Sequence, residues 1–303
     1  TMTDESITFT SDGFRLAGTV TRPSGGGTAP AVLIISGSGP LDRDGNHRRL
    51  RLDVSRQIAR TLRDAGIATL RYDKRGVGAS EGTFLAAGLH DNVTDARAAL
   101  DALCAQPGID PNRLFVLGHS EGAIIAVALL AGNASAAGAI LLSPTARPGA
   151  DVLRWQAERV AADLPAPVRG LLRLLRVDLT AKVARNHAKL RATTTDVARL
   201  GGARVNARWF REFMAYDPAP DLARLRVPVL AIAGGKDLQA PPQDLSTIAT
   251  VLGDRARTVL IEDLSHILRD QAGAPTLRSY RRDVTRPVDP RVLSTVVDWL
   301  QKR

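Results

Sequence analysis

Residues Leu114 to Val127 read LFVLGHSEGAIIAV, and the fold turns on how they are read. An apolar run stops at Gly118-His119-Ser120-Glu121-Gly122, and an alanine-rich apolar run resumes. The first run has the β-branched and aromatic character of a strand, and the second reads as a helix. Two glycines at such a join are explained by a tight turn alone. A serine held at the tip of a sharp strand-to-helix turn explains them too, because small flanking residues let that turn close and expose the hydroxyl. The five-residue pattern alone is only moderately specific. Its place between strand and helix strengthens it, and the rest of the chain has to supply the chemistry.

Working outward, Ser6–Ser11 and Phe14–Pro23 alternate around Ser11-Asp12-Gly13 and read as a hairpin. AVLIIS (31–36), IATLRYD (67–73), RLFVLG (113–118) and GAILLS (138–143) are apolar throughout, the pattern of strands buried on both faces. Helical stripes fall between them, with Val54, Ile58 and Leu62 on one and Val93, Ala96, Leu100 and Leu103 on another. Cys104 falls among these apolar positions and reads as buried packing. The alternation predicts a mainly parallel sheet with right-handed crossovers and helices on both faces. After Pro144 the rhythm breaks. No strand is convincing as far as Asp221, and helices are expected over Asp151–Asp163, Val168–Val177 and Asn206–Tyr216. The alternation then resumes with VPVLAIAGG (227–235), a helix over Gln243–Leu252, ARTVLIED (256–263) and a helix from Pro290 to Gln301. The expected organisation is an α/β core, 1–144 and 222–303, interrupted by a helical cap or lid, 145–221.

A serine hydroxyl needs a base to take its proton, and the base needs an orienting acid. Asp237 follows the strand ending at Ala233, and His266 follows the strand ending near Ile261. Both positions bring a side chain to the carboxyl edge of the sheet, where Ser120 also lies, in the chain order Ser, Asp, His. Ser120, Asp237 and His266 are therefore the candidate catalytic residues. His47 sits in the loop after the first core strand, where it can line the site, but it comes too early for the base. An oxyanion needs backbone donors: the N–H of Glu121, at a helix N-terminus, and the N–H of Ser38 in Ser36-Gly37-Ser38-Gly39-Pro40. The glycines of that loop are equally compatible with a simple turn.

With these residues placed, the sequence resembles the α/β-hydrolase fold family. SGSGPLDRDGN (36–46), RYDKRGVGAS (71–80), GHSEG, YDPAPDLARLRVPVLAIAGGKDLQAP (216–241) and Ser265-His266 resemble bacterial carboxylesterases of the EstD-like type, related to monoacylglycerol-lipase-like and serine-aminopeptidase-like hydrolases. The resemblance implies a Ser-His-Asp triad, an oxyanion loop and a lid between the sixth and seventh strands. Ser36-Gly37 stands where many hydrolases have His-Gly, and the lid matches poorly in detail. Asp42, Arg43, Asp44, Asp73, Lys74 and Arg75 read as ion-paired loop supports behind the site.

The chemistry implied is ester cleavage through an acyl-enzyme on a small-molecule acyl ester, with no cofactor and no metal. An acyl-CoA thioesterase or an aminopeptidase-like hydrolase on the same fold is the alternative, and a non-catalytic binding protein a remote one. Trp209, Phe210, Phe213 and Met214, crowded at helical spacing, are the candidate substrate-binding residues; packing of the insertion is the competing role. Arg169, Arg173 and Arg176 leave room for an anionic handle. The chain has 303 residues, 44% hydrophobic and 24% charged, with a net charge of +10 carried mostly by arginine. That bias reflects either genome composition or attraction for anions. No zinc-finger spacing or aromatic-basic RNA motif points to nucleic acid. No apolar run approaches the roughly 18–20 residues of a bilayer span, so no membrane insertion is expected. The acidic N-terminus is no secretory signal, Thr1 before Met2 reads as a cloning remnant, and a single cysteine excludes an internal disulfide. A cytoplasmic location is expected; the oligomeric state is left open.

Overall fold

The structure, a computed structural model, describes residues 3–303; the reading of Thr1 lies outside them. The chain opens with the hairpin β1 (Asp4–Ser11) and β2 (Phe14–Thr21). Next come β3 (Ala29–Ile35), a two-rung hairpin of β4 (Asn46–His47) and β5 (Leu50–Arg51), α1 (Val54–Asp64) and β6 (Ala68–Tyr72). Then follow α2 (Leu89–Cys104), β7 (Ile109–His119), α3 (Glu121–Ala131) and β8 (Gly138–Leu142). The stretch between β8 and the next core strand holds α4 (Gly149–Asp163), α5 (Ala166–Leu174), α6 (Leu179–Arg191), β9 (Val197–Leu200), β10 (Ala203–Asn206), α7 (Ala207–Ala215) and α8 (Pro218–Arg224). The chain closes with β11 (Val229–Gly234), α9 (Asp244–Leu252), β12 (Ala256–Ile261), α10 (Tyr280–Asp283) and α11 (Pro290–Gln301).

Eight strands form one sheet in the order β1-β2-β6-β3-β7-β8-β11-β12. The β1–β2 and β2–β6 pairs are antiparallel and all later pairs are parallel. The continuous apolar strands have the reason expected for them. Successive side chains of a strand point to opposite faces, and here both faces are covered. Val32 and Ile34 pack with Val54, Ile58 and Leu62 of α1 and with Val292, Val296 and Trp299 of α11. Leu33 and Ile35 pack on the other side with α2, α3 and α9. Every parallel strand therefore delivers its carboxyl end to the same edge, with the helices locking the sheet between them. Among the described residues no helix is long and apolar enough to cross a membrane.

Two expectations need correction. The stretch after Pro144 is not strand-free: β9 and β10 pair antiparallel, with Leu200 opposite Ala203. Their turn is Gly201-Gly202, both at positive φ (56° and 82°), the backbone that a two-residue hairpin of the primed type requires. The glycine pair was the signal, hidden because each strand is only four residues long. Cys104 is exposed rather than buried. Leu100 and Leu103 fix the inward stripe of α2, and the next position rotates out toward solvent.

Candidate active site

Ser120 lies between β7 and α3 with φ 59° and ψ −119°, a backbone state that L-residues seldom adopt. The two glycines explain how the turn closes. A Cβ on Gly118 would stand 2.0 Å from the Gly122 carbonyl oxygen, and one on Gly122 would stand 2.2 Å from that of Ile35. No side chain fits at either place. The Ser120 N–H donates to the Leu142 carbonyl at 2.9 Å, tying the turn to β8.

The loops after β11 and β12 carry the other two residues to this turn. His266 Nε2 lies 2.8 Å from Ser120 Oγ, and His266 Nδ1 lies 2.7 Å from Asp237 Oδ2. Asp237 Oδ1 accepts the N–H groups of Gln239 and Ala240, each at 2.7 Å. An ionised carboxylate can only accept, so the His266 proton sits on Nδ1 and Nε2 faces the serine hydroxyl as acceptor. Asp237 and His266 are both buried. His119 adds a contact that the sequence did not suggest. Its Nε2 donates to the His266 carbonyl oxygen at 2.8 Å, and Ser143 Oγ donates to the same oxygen at 3.2 Å. Burial, then repulsion from His266, pushes the His119 imidazole down to about 3, so it stays neutral.

Ser38 lines the cavity beside Ser120. Glu121 is the first residue of α3, where a helix N–H has no partner within its own helix. The Glu121 carboxylate points away into a buried network: Lys74 Nζ at 3.2 Å, Asn92 Nδ2 at 3.0 Å and Trp209 Nε1 at 2.9 Å. The other basic loop residues form ion pairs. Arg43 meets Asp73 at 2.9 Å, Arg71 meets Asp44 at 3.1 Å, and Arg75 meets Asp95 at 2.7 Å. Burial opposes the Asp73 charge. Hydrogen bonds from the Arg43 side chain and the N–H groups of Ala79 and Arg43 nevertheless hold it below the usual carboxylate range.

The cavity over Ser120 has a volume of about 300 Å³. Leu41, Leu50, Leu52 and Ile267 supply its apolar wall, and His47, Gln239 and Tyr280 its polar one. Trp209, Phe210, Phe213 and Met214 do not line it, which corrects their assignment to substrate. Phe213 packs against Ile124 and Val152, and Trp209 stacks on it at 4.7 Å. Met214 packs with Leu190 and Ala207, and Phe210 lies against His187 at 6.1 Å. The apolar side of α7 is consumed in joining α3, α4 and α6. Most of this lining carries no sequence signal, because it comes from loops and from elements of two to four residues, too short to show a period. His47, expected beside the site though not as its base, reaches the cavity.

A mainly parallel eight-stranded sheet, covered on both faces and carrying a strained serine turn at its carboxyl edge, is an α/β-hydrolase fold. The serine aminopeptidase S33 family profile matches residues 52–270, and the chain belongs to that family. Among curated proteins, the esterase EstD of Thermotoga maritima is 29% identical over 293 residues, covering 95% of this chain and 66% of that protein. An uncharacterized Mycobacterium tuberculosis protein is 36% identical over 138 residues, 46% of this chain and 44% of its own length. Among solved structures, Est1E from Butyrivibrio proteoclasticus with bound ferulic acid superposes with a TM-score of 0.65 at 18% identity, covering 98% of each chain. A Pyrococcus furiosus esterase does so with a TM-score of 0.63 at 16% identity, over 99% of this chain and 91% of the other. At such identities the structural likeness speaks to the fold.

Proposed function

We propose that the protein is a carboxylesterase-type serine hydrolase that cleaves small acyl esters through an acyl-enzyme. Ser120 Oγ attacks the ester carbonyl while His266 Nε2 takes its proton. Asp237 holds the imidazole in the required tautomer and stabilises its charged form. The N–H groups of Ser38 and Glu121 receive the oxyanion. His266 then protonates the departing alcohol, and a water activated by the same ring releases the acid. The observation that carries this reading is the unbroken hydrogen-bond chain Asp237–His266–Ser120 opening into a largely apolar cavity. The cavity volume favours a compact acyl group over a long chain. The esterase named among the relatives supports the same chemistry. We read the stretch 145–221, helices with one short hairpin, as the lid. The acyl-CoA alternative gains nothing from Arg169, Arg173 and Arg176, which are exposed and line no part of the Ser120 cavity.

The test is turnover of a p-nitrophenyl ester series with fluorophosphonate labelling. Wild-type protein is expected to favour short acyl chains and to be labelled at Ser120. Ser120→Ala is expected to lose about 10³-fold or more in kcat, since a broken triad keeps only binding and oxyanion catalysis. A folded Ser120→Ala protein with wild-type turnover refutes the reading.

A further inference from the structure

Six of the seven exposed large hydrophobic residues among those described fall between positions 160 and 177. Helix α5 has no buried residue. Val168, Leu171, Leu174 and Leu175 lie along one side at helical spacing, exposed by 41%, 54%, 79% and 60%. Arg169 and Arg173 lie along the other, and Arg176 follows just past the helix end; all three are exposed. The nearest acids are engaged elsewhere: Asp163 accepts the Leu277 N–H and faces Arg278, and Asp178 caps α6. An amphipathic helix ordinarily turns its apolar side to the core. This one presents it outward beside cations that have no acidic partner among the described residues, in a chain of net charge +10. We propose that α5 docks on an anionic lipid surface, leucines in the acyl boundary and arginines among the headgroups, lying on the membrane without spanning it. A second copy fits less well, because covering the leucines with another α5 would leave the exposed arginines on the far side without an anionic partner. The test is co-sedimentation with phosphatidylcholine vesicles, with and without phosphatidylglycerol. Wild-type protein is expected to bind the anionic vesicles. The triple change Leu171→Ser, Leu174→Ser, Leu175→Ser is expected to abolish binding, with turnover of a soluble ester unchanged. Arg169→Gln, Arg173→Gln and Arg176→Gln together are expected to weaken binding about a hundredfold, at roughly fivefold per arginine. Three results overturn the proposal. One is no vesicle binding by wild type, and another is binding untouched by the leucine changes, which marks net charge alone. The third is a wild-type dimer that these leucine changes dissociate.

A second, independent observation concerns Lys74. Its ammonium is buried and donates both to the Gly37 carbonyl oxygen and to Glu121. The Gly37 carbonyl and the Ser38 N–H belong to one planar trans peptide and point in opposite directions. Fixing the oxygen therefore aims the N–H the other way, and the charge polarises that peptide toward stronger donation. Glu121, the other end of the tie, carries the second proposed oxyanion donor. We infer that Lys74 is the positioning residue of the oxyanion hole, an inference that rests on the proposed roles of Ser38 and Glu121. The test compares Lys74→Met with the double change Lys74→Met, Glu121→Gln, which leaves no unpaired buried charge. Both are expected to lose about 10²-fold in kcat, the scale of a lost oxyanion donor, with KM little changed. Inhibition by a trifluoromethyl ketone, which forms the tetrahedral adduct, is expected to weaken in parallel. Fluorophosphonate labelling of wild-type Ser120 separates failure of the underlying reading from failure of this one. A double variant with wild-type kcat and ketone affinity overturns the role of Lys74 and leaves it only balancing the Glu121 charge.

Discussion

Replacing Asp237 with asparagine tests the proposed mechanism without disturbing the fold. Asp237 Oδ1 accepts two backbone N–H groups, from Gln239 and Ala240. An asparagine must point its carbonyl oxygen at those donors, because its own NH₂ there would meet two N–H groups head on. The NH₂ then faces His266 Nδ1, where Oδ2 now sits 2.7 Å away. Nδ1 becomes an acceptor, so the ring proton moves to Nε2. That proton confronts Ser120 Oγ at 2.8 Å, and the base has no lone pair to offer. The cost is thus a wrong tautomer, on top of the lost charge that would stabilise the imidazolium. In another Ser-His-Asp triad the same exchange lowers kcat by about 10⁴-fold, and a comparable loss is expected here, about 5.5 kcal/mol of barrier. Shape and the remaining hydrogen bonds are conserved, so thermal stability is expected to stay near wild type. Steady-state hydrolysis of p-nitrophenyl acetate, with circular dichroism to confirm folding, measures both. A folded Asp237→Asn enzyme within about tenfold of wild-type kcat would refute the argument, since less than 1.4 kcal/mol would then separate the two tautomers.

Other outcomes follow from the same geometry. Gly122→Ala drives a Cβ into the Ile35 carbonyl at 2.2 Å and the Ser36 carbonyl at 2.8 Å; a loss of about 3 kcal/mol or more in urea unfolding is expected, and near wild-type stability would disprove that close approach. His119 is neutral in the fold, pushed down to about 3 by burial, against about 6.5 in the unfolded chain. Its contribution is therefore complete above pH 6.5 and is lost as pH falls toward 3, by about 1.4 kcal/mol per unit, and His119→Gln is expected to flatten that acid limb of the stability curve. Phe213→Ala is expected to cost about 3–5 kcal/mol of stability with KM little changed, because this ring packs on Ile124 and Val152 rather than on substrate. Ile267→Ala, in the cavity wall, is expected to raise KM for the preferred ester instead, and the opposite pattern for the pair would restore the aromatics as the pocket.

The mainly parallel sheet and three side chains along its edge are legible in the sequence alone. Strand and helix alternate with a period that a single chain displays, and a serine between Gly118 and Gly122 at a strand-to-helix join has few structural uses. Asp237 and His266 follow from the order of the strands, because in a parallel sheet every strand end reaches the same edge. Tertiary structure alone decided what lines the cavity. Leu41 and Leu52 lie near the start of the chain and Ile267 and Tyr280 near its end, on loops and on an element too short to show a period, and nothing local marks the two groups as neighbours. It also decided the fate of the aromatics on α7, the exposure of Cys104, and the tie from Lys74 to the peptide of Ser38. The physical reason is common to all of them. Periodicity says which side of an element is apolar, but the identity of what covers that side depends on how the elements pack.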